Sequence, residues 1–229
     1  MLDPRKSVDL KNWAANAANG ILMAQGSNRT VSSNFITESK LRKDTLLANQ
    51  PSFPISFVAT GQTPNASEIL LAQNDAFLAT SIRLSVKKLT ATPTDILHVQ
   101  AREYTYPNIF VFDGAAEVLA IFGLWNAKLS ITQNSSVRFP KLWTGDLLFA
   151  PEQQYGDITA AFTGPTYGRK IGDSKQSPNF GFFEIEPVLF TGTDQTTMLL
   201  NYGAALNIVE AAEYNYFTIT LGGFLISGQ

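Results

Sequence analysis

Of the 229 residues only 16% are charged against 45% hydrophobic, and the formal net charge is −2. The chain has no cysteine, which excludes disulfide frameworks, thiol catalysis and cysteine-ligated zinc together. It also lacks the basic surplus by which proteins hold nucleic-acid phosphates. A chain of this size buries about 70% of its unfolded surface, enough for a core without staples, and low charge with many aromatics suits a surface covered by neighbouring protein.

At the start of the chain, Met1 to Lys6 lacks the apolar run of a signal peptide. The longer apolar stretches are too short and interrupted to span a bilayer. The expectation is a protein made and kept in the cytoplasm until it assembles, in which the sequons at Asn28, Asn65 and Asn134 carry no meaning. Val8 to Ala24 places Leu10, Trp13, Ala17, Ile21 and Leu22 at spacings near three and four. That spacing predicts a short helix, with Ser7 or Asp9 as cap and Gly20 as an interruption. Gln25 to Asn34 is polar and turn-rich, and Phe35 to Leu47 forms either one or two helical turns or an extended stretch. Residues 1–50 therefore read as an arm with too little apolar material to fold alone. Its apolar side needs an outside surface, the sandwich's own flank or, better, a neighbouring subunit. Leu10, Trp13, Ile21 and Leu22 are its candidate interface residues, with Trp13 as the anchor.

From Pro51 the pattern becomes strands. Pro54–Ala59, Phe77–Leu89, Leu97–Tyr104, Val118–Leu124, Lys128–Gln133, Asp146–Phe149, Phe180–Phe190, Thr197–Tyr202 and Tyr214–Ile226 are apolar or alternating runs separated by Pro, Gly, Asn and Asp. The connections are uneven, and two of them, Tyr106–Ala116 and Pro151–Asn179, are long and rich in Gly, Pro and Tyr. Uneven connections favour a Greek-key or jelly-roll path over a meander, and no fixed-period repeat suggests a propeller or solenoid. The expected fold is all-β: a jelly-roll-like antiparallel sandwich over residues 51–229, preceded by the arm. Trp143, Tyr155 and Tyr167, aromatics in or beside these loops, join the arm residues as candidate assembly contacts.

The residues that could carry chemistry are few. His98 is the only histidine, so it cannot build a usual zinc site; it is read as a strand residue with a satisfied ring. A serine triad would need His98 as base, and no Gly-x-Ser-x-Gly elbow supplies the nucleophile. Gly164 to Lys170 approaches a phosphate-loop pattern but is one residue short, puts Arg169 at the lysine position and has no Ser or Thr after Lys170. Glu184 and Glu186 share one strand face, the least arrangement a glycosidase needs, yet a solvated face accounts for them as well. Asp-x-Asp calcium loops are absent. Arg83, Lys87 and Lys88, like Arg169 and Lys170, read as solvated strand ends and loops. No catalytic, cofactor-binding or metal residue is assigned, and the chain is not expected to be an enzyme.

Several segments in order carry a resemblance: Asn74-Asp75-Ala76-Phe77, then Ile82 to Val86, Thr105-Tyr106-Pro107-Asn108 with Val111-Phe112, Trp125 to Ile131 and Ala150 to Gln154. From about residue 70 to residue 226 the chain resembles jelly-roll capsid proteins of icosahedral bacteriophages, tailless ones in particular. A double jelly roll is usually longer, so the resemblance implies a single sandwich. It also implies a structural virion subunit without an active site, whose partners are itself and other virion proteins, located in the capsid after synthesis in the host cytoplasm. A receptor- or carbohydrate-binding jelly roll, such as a fibre or spike head, is the alternative.

Overall fold

A computed structural model describes residues 4–24, 26–107, 111–112, 115–133, 136–149, 181–193, 196–203 and 214–227. The described elements are α1 (Pro4–Ala24), β1 (Ile36–Leu46), β2 (Ser52–Ile55), β3 (Ala76–Leu89), α2 (Asp95–Gln100), α3 (Ala115–Leu124), β4 (Lys128–Gln133), β5 (Ser136–Trp143), β6 (Phe183–Thr191), β7 (Thr196–Asn201) and β8 (Tyr214–Ile226). The strands form two four-stranded antiparallel sheets, ordered β1-β8-β3-β6 and β2-β7-β4-β5. Pairing is nested. β4 meets β5, β3 meets β6, β2 meets β7 and β1 meets β8, as in one long hairpin rolled up on itself. The lateral pairs β8–β3 and β7–β4 then complete each sheet. This is the jelly-roll path, and the expected antiparallel sandwich is the fold observed.

The core lies between the sheets. Phe53, Ile55, Met198, Leu200, Leu129 and Ile131 from one sheet meet Phe77, Ile82, Leu84, Val86, Phe217, Ile219 and Leu221 from the other. Phe53 stands edge-on to Phe217, with ring centroids 5.5 Å apart. Alternation is strict on each side of one irregularity in β3. Ala79 pairs with Gly223 and Ser81 with Gly222, which leaves Thr80 as an extra residue, a β-bulge. The bulge brings the strands so close that a Cβ on Gly223 would lie 2.0 Å from the Leu78 carbonyl oxygen, so only glycine fits there.

The arm packs on its own sandwich. Ala14, Ala15, Ala18 and Leu22 are buried against Ala76, Leu78, Leu189, Phe224 and Ile226 on the outer face of the first sheet. Small side chains on the helix let its axis approach the sheet closely, whereas the sequence pattern pointed to the larger Leu10 and Trp13. Gly26, at φ 76°, turns the chain after the helix. The Asn19 side-chain amide then fastens Val31, donating to its carbonyl at 3.0 Å and accepting from its N–H at 2.7 Å.

Four expectations are corrected. Residues 36–46, placed in the arm, are β1 and pair with β8 along their whole length, so the sheet begins well before residue 51. Leu97–Tyr104 is not a strand: Thr94 caps a helix by accepting from the Leu97 N–H at 3.4 Å, and α2 carries His98. Val118–Leu124 belongs to α3, which buries Ala120, Ile121 and Leu124 at helical spacing. Residues 146–147 close a 3-10 turn, Thr144–Leu147. A strand absent from the sequence reading, β5, contains Pro140 and sits at a sheet edge, where a missing N–H costs no ladder bond.

Two truncations test this layout. Removing residues 1–30 strips α1 and uncovers Leu78, Leu189 and Phe224, and should leave a folded but weakened sandwich. Removing residues 1–50 also strips β1 and should abolish folding. Circular dichroism with urea melts reads both; two equally folded truncations would contradict the place of β1 in the sheet.

Candidate functional site

The half of the outer face that α1 leaves uncovered is polar, and it is where the ionisable side chains converge. Outward positions of β1, β3 and β8 present Arg42 and Asp44, Arg83, Ser85 and Lys87, and Tyr216, Thr218 and Thr220, in register with one another. The connection from β2 to β3 folds over them and is pinned to the edge of β1 by reciprocal backbone bonds between Arg42 and Ile69 of 2.8 and 2.9 Å. α2 closes the same region, held to that connection by the Ala66 N–H donating to the Asp95 carboxylate at 3.1 Å.

At the centre lies a buried ion pair. Lys87 and Asp44, both fully buried at the side chain, are in direct contact. Asp44 also accepts from the Ser67 hydroxyl at 2.5 Å and the Thr218 hydroxyl at 2.7 Å. Asn65 and Arg42 approach it at 3.4 and 3.5 Å. The Lys87 ammonium donates further to the Ser67 hydroxyl at 3.1 Å and to the His98 carbonyl at 3.3 Å. Charges alternate outward from the pair. Arg42 contacts Glu103, which accepts from Arg83 at 3.2 Å and from Ser85 at 3.1 Å. Glu68 pairs with Lys43 at 3.0 Å and accepts from the backbone N–H groups of Asp44 and Asn65.

Burial alone would raise the Asp44 carboxyl, but the hydrogen bonds from Lys87 and Ser67 and the charges of Lys87 and Arg42 outweigh it and hold the pKa at about 2. Burial pushes Lys87 below the ordinary lysine value, with Asp44 opposing. The His98 ring packs edge-on against Tyr216, centroids 4.9 Å apart, with Nδ1 3.5 Å from an Asp44 oxygen. Burial, then the charge of Lys87, hold it below 6.5 against the pull of Asp44. Ser67 beside Lys87 has the outline of a nucleophile–base pair, yet a lysine ion-paired to Asp44 has no lone pair with which to take a proton. The cluster fastens β1, β3, β8, α2 and the β2–β3 connection to one another.

The residues proposed from sequence lie apart from this cluster. On α1, Leu22 is buried and Ile21 half-buried, while Leu10 and Trp13 are exposed, with Trp13 (46% exposed) edge-on to Phe224 at 6.2 Å. Trp143, at the end of β5 in the other sheet, is 43% exposed. Tyr155 and Tyr167 lie outside the described residues, as do Arg169 and Lys170. Glu184 and Glu186 stand exposed on β6. Two expectations change: His98 is a buried helix residue, and Lys87 and Lys88 are ion-pair partners, Lys87 fully buried and Lys88 part-buried and joined to Glu117 of α3 at 3.1 Å. No single residue signalled the cluster: Lys87, between Val86 and Lys88, reads by itself as the solvated end of an alternating strand.

Among the described residues, no helix is long and apolar enough to cross a membrane, and no group of three or more His, Asp or Glu side chains could hold a metal ion. No protein-family model, no curated protein and no solved structure matches the chain.

Two measurements test the cluster. Asp44→Leu or Lys87→Met alone leaves a buried charge unpaired and should cost about 3–5 kcal/mol, whereas the double variant should cost much less than their sum. A urea double-mutant cycle reads the coupling, and additive losses would show that the pair is not a unit. The second is pH. A histidine depressed on folding contributes stability that is present above 6.5 and lost as pH falls from 6.5 through its lower folded value. Asp44 acts lower down, its contribution disappearing as pH falls from 3.8 through about 2. The urea midpoint should therefore drop as pH falls below 6.5, and His98→Gln should flatten that drop while leaving the acid limb in place.

Proposed function

We propose that this chain is a structural, non-catalytic subunit of a viral or bacteriophage shell, assembling with itself and with other virion proteins after synthesis in the host cytoplasm. One observation carries the reading: a single jelly roll leaves large apolar side chains standing open on elements far apart in sequence. Leu119 (75% exposed) and Phe122 lie on α3, Val137 and Trp143 on β5, and Leu10 and Trp13 on α1. Aromatic and aliphatic anchors of this kind are what protein interfaces bury at their centres, and a subunit with neighbours on several sides needs more than one such patch.

The charged cluster fits the same reading. Its acids and bases are spent on one another, which stiffens a subunit without offering a reactive group. Purified protein, studied by sedimentation velocity and negative-stain electron microscopy, should form many-subunit particles or sheets. Trp143→Ala and Trp13→Ala should weaken that assembly with unchanged circular dichroism. A monodisperse monomer or a stable trimer at every concentration would overturn the reading.

A further inference from the structure

In the connection that leaves β3 at Leu89, one side chain does the anchoring. From Thr90 to Arg102 every residue is exposed or half-buried except His98. Both ends of this stretch are fixed on the same strand: β3 finishes at Leu89, and Tyr104 exchanges two backbone hydrogen bonds of 2.8 Å with Val86. The stretch between can therefore leave the sheet without pulling strands apart. Its six-residue helix, α2, is too short to hold its shape without a support. Ile96 and Val99 are exposed on it. Hydrogen bonds tie α2 to the β2–β3 connection, through the Ala66 N–H on Asp95, and to β3, through the Lys87 ammonium on the His98 carbonyl.

The seat of the ring suits a neutral imidazole and not a charged one. Nδ1 is buried without a hydrogen-bond partner among the described residues and faces an Asp44 oxygen at 3.5 Å. That oxygen already accepts from Lys87, Ser67 and Asn65, more donors than it has lone pairs. The other groups around the ring offer no better partner. Lys87 on β3 carries a like charge, and Tyr216 on β8 is held as a neutral phenol by burial and by Asp44. Glu68, on the β2–β3 connection, is engaged with Lys43 and with two backbone N–H groups, while Arg42 and Glu103 pair with each other further out. An imidazolium here would exchange its hydration for a saturated carboxylate and a neighbouring ammonium. We propose that α2 is a proton-released latch: seated on the outer face of the first sheet while His98 is neutral, it lifts away with residues 90–102 when the ring is protonated, and both sheets stay paired. Lys87 gives up the His98 carbonyl in this step but keeps Asp44 and Ser67, so the ion pair on the sheet does not follow. The latch lies within one chain and stands whether or not the chain builds a shell.

Hydrogen exchange of the full chain, read by mass spectrometry over a pH series and corrected for the intrinsic exchange rate at each pH, tests it. The peptide that covers α2 should lose protection as pH falls below 6.5, while peptides from β3 and β8 keep theirs. His98→Phe retains an aromatic ring against Tyr216 and removes the titration, so its α2 peptide should stay protected at every pH above 3.8, where Asp44 begins to protonate. His98→Gln serves the same purpose if the phenylalanine variant does not fold, and the contrast between α2 and the strands in the unaltered chain decides the matter without either. An α2 peptide that stays protected in acid, loss of protection in α2, β3 and β8 together, or the same acid-induced loss in a variant without His98 would each overturn the proposal.

Discussion

Two adjacent strands, β3 and β8, are buried on both faces over most of their length, and every other part of the structure answers to that constraint. A sheet in a two-layer sandwich normally leaves one face to water. Here the second sheet covers the inner face, and the outer face has to be covered by whatever the remaining chain supplies. At one end α1 supplies an alanine-faced helix over Leu78, Leu189 and Phe224. At the other end the outward side chains are polar, and the β2–β3 connection and α2 descend on them bearing the complementary charges and hydroxyls.

The two covers hold by different physics. Burial of apolar surface under α1 is non-directional, and it tolerates sliding as long as the alanines stay down. The Asp44–Lys87 pair is directional: a buried ammonium and carboxylate each lose several kcal/mol of hydration and regain it only in good geometry. Ser67, Thr218 and the His98 carbonyl complete that geometry, each from a different part of the chain. Such a cluster adds little net stability over an apolar replacement, but it penalises every arrangement in which one member is displaced. It therefore sets the register of β1 on β8 and the seat of α2 more sharply than it strengthens them.

The sandwich itself was legible because Ile82, Leu84 and Val86 alternate cleanly with polar residues, and β8 reads as a long apolar strand. Short apolar runs were not. Ile96 to Val99 and Val118 to Leu124 are too short for period alone to separate strand from helix, although Thr94-Asp95 was a capping signal for the first. Pro140 concealed β5, since a proline argues against a strand until its place at a sheet edge is known. The charged cluster was invisible for a deeper reason. Its members are scattered from Arg42 to Thr218, each reads singly as a solvated polar residue, and only the roll brings them together. Large side chains drew attention on the arm, whereas close packing was the work of Ala14, Ala15 and Ala18.

The bulge at Thr80 has an effect on the tolerance of the chain to changes in length. Before it, Phe77 and Ala79 point inward at odd positions; after it, Ile82, Leu84 and Val86 point inward at even ones. The alternation thus slips by half a period within a single strand, and Thr80 absorbs the slip. Loss of Thr80 would straighten β3 and leave the side chains on either side facing as they do now. Loss of a residue between Ile82 and Lys88 has no such buffer. With β3 still anchored at Phe77, loss of Arg83, for example, would turn the remainder inside out, carrying Lys87 into the core and Leu84 and Val86 into the ionic cluster.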